Sequence, residues 1–156
     1  MSRLSVPVPL RWADLDAYGH VNNVEVLRLL EEARIAAFWR HPEAEGGSAP
    51  TAVLDAGPSA STHTVVARTE IEYLRPLAYH REPVEVEMWI GHLGGASIDV
   101  CYRVLAGPGR ELHVQAVSTL VVVDAATGSP RRIAPEERAA WEPYVEAPVE
   151  LRRPRR

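Results

Sequence analysis

The chain of 156 residues contains one cysteine and no lysine. A single cysteine excludes an internal disulfide framework and any metal site built on paired cysteines. No apolar run approaches the ~20 residues that span a bilayer, and the N-terminus lacks the pattern of a signal peptide. These absences predict a cytoplasmic protein with no membrane partner. Charge argues against nucleic acid as well, since 17 Lys plus Arg against 21 Asp plus Glu leave a net charge of -4, the wrong sign for a phosphate backbone. No G-x-S-x-G elbow, H-E-x-x-H pair or phosphate-cradling glycine loop occurs. Internal repeats and low-complexity tracts are also missing.

The 46% of hydrophobic residues suffices for one ordinary core, so residues 1–150 are expected to form a single domain. Residues 151–156 hold Arg152, Arg153, Arg155 and Arg156 around Pro154, and are expected to be a basic, solvated and disordered tail.

Hydrophobic spacing orders the chain. Ser5 to Trp12 reads as a strand, and Asn23 to Arg40 as a helix about 27 Å long. That helix is apolar over most of its circumference, with only Glu25, Arg28 and Glu32 as a narrow polar face, so it needs to be wrapped. Residues His41 to Pro58 read as a loop, with a short strand at Thr51 to Leu54. Strands are predicted at His63 to Leu74, Glu82 to His92, Ala96 to Leu105 and Leu112 to Val123, with turns at Gly94-Gly95 and Gly107-Pro108-Gly109. The short connections make the last strands antiparallel neighbours. Pro135 opens a short helix that runs to Trp141.

Between the first strand and the long helix lies Asp14-Leu15-Asp16-Ala17-Tyr18-Gly19-His20-Val21-Asn22-Asn23. Asn22 suits an N-cap, and Glu25 three residues on would complete a capping box, leaving Asn23 as the first helical residue. The opening amides of a helix lack intrahelical acceptors and carry partial positive charge, which suits a polarised carbonyl oxygen. A carboxylate seven residues earlier can face the same spot.

This run resembles the D-x-D-x-x-G-H-V-N-N signature of hotdog-fold acyl-CoA thioesterases of the 4-hydroxybenzoyl-CoA thioesterase class. The resemblance continues through Glu32-Ala33-Arg34, through Ile71 to Leu77 as I-x-Y-L-R-P-L, through Gly94 to Ser97 as G-x-x-S, and through Pro130 to Pro135, covering about residues 6 to 141. It implies an α+β hotdog fold, an antiparallel five- or six-stranded sheet wrapped around a long central helix. It also implies hydrolysis of an acyl-CoA to a free acid and coenzyme A, without metal or other cofactor, in a homodimer or homotetramer with sites at the dimer seam.

On that resemblance Asp16 matches the active-site acid, ionised near neutral pH and able either to take a proton from water or to attack the thioester carbon. Asp14 is expected to hold the loop. His20 orients water, meets the thioester oxygen or braces Asp16, and Asn23 acts through its backbone N–H. Arg75, Arg131 and Arg132 are candidates for coenzyme A phosphates, and His92 and Ser97 for the phosphopantetheine arm. In two places the chain departs from the family: Val26 stands where a Tyr is common, and Gly95 where the hairpin carries a basic residue. The second departure keeps an acyl-carrier-protein thioesterase open as an alternative, beside a non-catalytic acyl-CoA-binding protein. Cys101, mid-strand, reads as an inert thiol.

Overall fold

Alternating valines and other apolar residues build the sheet. In the computed structural model, which describes residues 2–152, five antiparallel strands lie in the order β1-β3-β4-β5-β2: β1 (Leu4–Val8), β2 (Thr62–Tyr73), β3 (Val84–Leu93), β4 (Ser97–Ala106) and β5 (Glu111–Asp124). Register places Val6, Val86, Val104, Val114 and Tyr73 in one row across all five strands. The apolar residues of this face pack with one side of α1 (Asn23–Phe38), where Val26, Leu29, Leu30, Ala33 and Ala37 are buried. The strand count falls within the expected range, and each boundary lies within two residues of its prediction for the four later strands. The first strand is shorter than expected. It ends at Val8 because Pro9 follows, and Trp12–Asp14 forms a 3₁₀ turn.

The helix also stops early, at Phe38 rather than Arg40. Trp39 is extended, and the chain turns to pair with residue 54 through Arg40 N–H to the Leu54 carbonyl, 2.8 Å, and Leu54 N–H to the Phe38 carbonyl, 3.1 Å. The segment predicted as a strand at Thr51 to Leu54 makes only this isolated parallel bridge. At 1.5 Å per residue α1 is about 24 Å long. The sheet covers one side of it, and Val24, Leu27 and Ile35 remain exposed on the other. The edges of the sheet differ: β1 is five residues long with Pro7 in it, whereas β2 is twelve residues long and exposes Val65 and Val66.

After α2 (Pro135–Trp141) the chain does not leave the fold. Residues 145–152 cross the far face of the sheet as a strap. Glu146 N–H donates to the Ile90 carbonyl (2.9 Å), Trp89 Nε1–H to the Ala147 carbonyl (2.9 Å), and Val149 N–H to Cys101 Sγ (3.4 Å). Gln115 Nε2–H then donates to the Glu150 carbonyl (3.0 Å), and Arg152 N–H to Glu72 Oε1 (2.8 Å). The strap buries Trp89 and Cys101, both on what spacing alone makes the polar face. It lies so close that a Cβ on Gly91 would sit 2.7 Å from Cys101 Sγ and 3.2 Å from Pro148 Cα. Burial pushes the Cys101 thiol up, in keeping with an unreactive group. Of the predicted tail, Leu151 and Arg152 lie on this strap, and residues 153–156 lie outside the described residues.

Candidate active site

The loop before α1 is a tight hairpin clamped at its base. Leu15 bridges Val21, Asp16 N–H donates to the His20 carbonyl (2.7 Å), and Gly19, at φ 76°, makes the reversal that a side chain with a Cβ would resist. Val21 N–H donates to the Leu77 carbonyl (2.7 Å), tying the loop to the segment that leaves β2. Beneath it Asp14 is fully buried. Its carboxylate accepts from Arg11 N–H and Nε–H, both 2.9 Å, and from Arg28 Nη2–H at 2.8 Å. Burial alone would raise its pKa; the hydrogen bonds and charges of Arg11 and Arg28 outweigh that and hold it below 3.8, the ordinary value.

Asn22 is the N-cap, its side chain accepting from Val24 N–H at 3.1 Å, and Asn23 is the first helical residue as expected. The capping box does not form. The Asn22 N–H donates instead to the Asp14 carbonyl (2.8 Å), and Glu25 faces Arg28 (3.1 Å) and Arg11 (3.4 Å), cations that attract it more strongly than an amide.

The Asp16 side chain has two hydrogen bonds within the loop, both through Oδ1, which accepts from Tyr18 N–H (2.8 Å) and His20 N–H (3.1 Å). These shape the turn, so the turn-forming reading of Asp16 is part of the geometry. Oδ2 has no hydrogen-bond partner among the described residues. Asp16, His20, Asn23 and Arg75 line one cleft of about 300 Å³, together with Tyr73 and Val114. The cleft thus gathers a carboxylate, an imidazole, the start of a helix and a guanidinium, with apolar walls from Val26 and Leu77.

Tyr73 was not singled out by sequence reasoning. Its hydroxyl donates to the Asn23 carbonyl at 2.9 Å, and burial raises its pKa. It supplies the cleft with the phenol that Val26 lacks. The signal was present in the I-x-Y-L-R-P-L segment, where it read as an ordinary strand residue.

The other four predicted site residues stand elsewhere. His92 and Ser97 flank Gly94 at the β3–β4 hairpin, and Ser97 pairs with Val121, near the Thr62 end of β2. Asp16 and Tyr73 lie at the opposite end of that strand. Arg131 is committed to the buried Glu137, with Nη2 and Nη1 at 2.5 and 3.0 Å from its carboxylate, and Nε donates to Thr62 Oγ1 (3.0 Å). Although burial opposes it, this pairing with Arg131 lowers the Glu137 pKa below 4.5. Arg132 is exposed, and its Nη1 lies 3.7 Å from where a Cβ on Gly95 would be. The cation missing from the hairpin sequence is therefore beside the hairpin in space.

Over residues 10–148 the chain matches the thioesterase-like superfamily. It is similar to the solved structure of a proposed thioesterase from Pseudomonas aeruginosa, at 31% identity and a TM-score of 0.70, covering 87% of this chain and 95% of that one. It is equally similar in sequence, 31%, to a Thermus thermophilus thioesterase solved with coenzyme A and zinc, with a TM-score of 0.68 over 90% of this chain and 92% of that one. A DHNA-CoA thioesterase from Staphylococcus aureus, 16% identical, shares the fold at a TM-score of 0.70 over 92% and 91% of the two chains. No curated protein matches significantly.

Proposed function

The chain belongs to the thioesterase-like superfamily, and from that premise we propose that it hydrolyses an acyl-CoA to a free carboxylic acid and coenzyme A, with Asp16 as the catalytic group. The observation that carries this reading is the shared cleft of Asp16, His20 and the N-terminus of α1. The thioester carbonyl oxygen sits at the Asn23 N–H, where helix-end amides favour the negative charge that develops on it. Asp16 Oδ2 then either takes a proton from an attacking water or attacks the carbonyl carbon itself, and His20 orients the water or the carbonyl.

No metal step is needed in this scheme. The zinc of the Thermus protein belongs to that structure, and the donor set here does not suit one: Asp14 is filled by two arginines, and no three His, Cys, Asp or Glu converge among the described residues. No helix among the described residues is long and apolar enough to cross a membrane, and the lone buried thiol fits a reducing cytoplasm.

The proposed working unit is a homo-oligomer of single-domain chains, at least a dimer, joined along β2. A long, exposed edge strand seeks a partner, and antiparallel pairing of two β2 strands places the Tyr73 end of one beside the Thr62 end of the other. The partner's Arg132, His92 and Ser97 then approach the first protomer's cleft, with Arg75 as the local cation. Arg132 beside Gly95 favours coenzyme A over acyl carrier protein as the carrier. A hydrolysis screen over short, medium, long and aromatic acyl-CoAs, read by free thiol release, tests the reading. Turnover of at least one supports it, and binding without turnover of any contradicts it.

A further inference from the structure

Of the two arginines on α1, Arg28 is surrounded by Asp14, Glu25 and Glu32, whereas Arg34 has no carboxylate partner among the described residues. Arg34 is half-buried, and its side chain makes one hydrogen bond there, from Nη1–H to the Tyr102 hydroxyl at 3.2 Å. Tyr102 is fully buried, and burial pushes its pKa up, so it stays a neutral phenol and supplies no counter-charge. Arg34 borders a second cavity, of about 430 Å³, between α1 and β2, walled by Ile35, Trp39 and Leu120, with Thr64 on the strand side. Glu31 is the other charged residue lining it; that side chain is exposed and does not pair with Arg34. An unpaired guanidinium beside apolar walls keeps donors for an anion.

This cavity and the Asp16 cleft lie along the same side of the α1–β2 packing. Tyr102 stands in a cross-strand row with Ala116 and Ile71, and the next row on that face holds Val114 and Tyr73, which line the cleft. Successive rows on one face are ~7 Å apart. On the helix, Asn23 and Arg34 are three turns apart and so stand on one line ~16 Å long, with the arginine side chain leaning back toward Asn23. Between them Leu27 on α1 and Thr69 on β2 remain exposed.

We propose that Arg34 binds a carboxylate at the far end of the acyl group, so that the preferred substrate is the coenzyme A half-thioester of a medium-chain dicarboxylic acid. The proposal rests on the acyl-CoA reading above. A thioester carbonyl at the Asn23 N–H lies ~7–16 Å from the Arg34 site, which at ~1.3 Å per saturated carbon corresponds to an acyl chain of about six to twelve carbons. The terminal carboxylate accepts paired N–H bonds from the guanidinium, whereas a neutral chain of the same length leaves that cation unpaired among apolar walls. In the reaction the oxygen of water bonds to the carbonyl carbon and the C–S bond breaks. A proton from that water goes to sulfur, giving coenzyme A thiol and the free dicarboxylic acid.

The test compares suberoyl-CoA with octanoyl-CoA, which has the same chain length and no terminal carboxylate, on wild type and on Arg34→Met. Wild-type kcat/KM for suberoyl-CoA should exceed that for octanoyl-CoA by about tenfold to a hundredfold, and Arg34→Met should bring the ratio to one or below. A purely structural role for Arg34 would lower both values together and leave the ratio unchanged. That result, or a wild-type preference for octanoyl-CoA, would overturn the proposal. Arg34→Lys keeps a cation but not the paired donors, and it decides the matter if the Met variant does not fold: the ratio should drop about threefold to tenfold, and an unchanged ratio counts against the contact. If wild type hydrolyses no thioester, the acyl-CoA reading fails, and octanoate titrated calorimetrically into wild type and Arg34→Lys reads the carboxylate contact by itself. Weaker binding in the variant upholds the contact, and equal binding overturns it.

Discussion

Asp14 and Arg28 lie fourteen residues apart and meet at 2.8 Å, the carboxylate fully buried and the guanidinium reaching back from the second turn of α1. This contact locks the loop that carries Asp16 to its helix. Asp14→Asn leaves the arginine donors facing an amide NH₂. An unsatisfied buried group costs ~1–3 kcal/mol, and each kcal/mol shifts melting by ~2–4 °C at this size, so a drop of roughly 2–12 °C is expected. Activity should fall with loop order.

Two buried carboxyls set an acid limit. The Asp14 and Glu137 carboxyls both have lowered pKa values in the folded protein. Their stabilisation is complete above the unfolded carboxylate range and is lost as pH falls through the folded values. Melting temperature should therefore be level from about pH 7 to 5 and decline below about pH 4, with a shallower decline in Asp14→Asn. A wild-type protein that melts at the same temperature at pH 3 as at pH 7 would contradict this.

Period and turn chemistry made much of the sheet legible: the β3 alternation, the Gly94-Gly95 turn and the Asn22 cap are local properties of the chain. The site was legible in part, because Asp16, His20 and Asn23 sit within one short loop. Tyr73 and Arg75 reach that loop through the pairing of the Ala78 and Leu77 segment with His20 and Val21, a tertiary contact without a periodic signature. The strap was invisible for a similar reason. Residues 145–152 have no helical or strand period of their own, and Trp89, which they cover, alternates with Met88 and Ile90 as a solvent-facing residue would.

Val66→Lys tests the seam. It puts a charge on the exposed edge β2 without touching the cleft residues. Wild type is expected to sediment at no less than twice 17.2 kDa, and the variant to shift toward the monomer, losing most of its activity while keeping its far-UV spectrum. A wild-type protein that is active as a monomer would refute the shared site.

Arg131 and Arg132 should separate in their effects. Arg131→Met leaves Glu137 buried without its partner and is expected to lower the melting temperature by several degrees, with acyl-CoA KM little changed. Arg132→Met should do the reverse, raising acyl-CoA KM a few-fold at constant melting temperature. Exchange of those two phenotypes would reassign the phosphate contact to Arg131.

Chelation should leave turnover intact. Activity that vanished with EDTA and returned with one divalent ion would replace the carboxylate mechanism with metal-activated water.

The most direct measurement is acyl-CoA hydrolysis by Asp16→Asn. The amide keeps its carbonyl oxygen for the Tyr18 and His20 N–H groups, so the turn and the melting temperature should be preserved. It gives up the negative charge and the second carboxylate oxygen. The rate should fall by about 10² to 10⁴, the scale of a positioned general base, with a larger loss indicating covalent attack. Near wild-type turnover in a folded Asp16→Asn protein would show that Asp16 shapes the loop and does no chemistry.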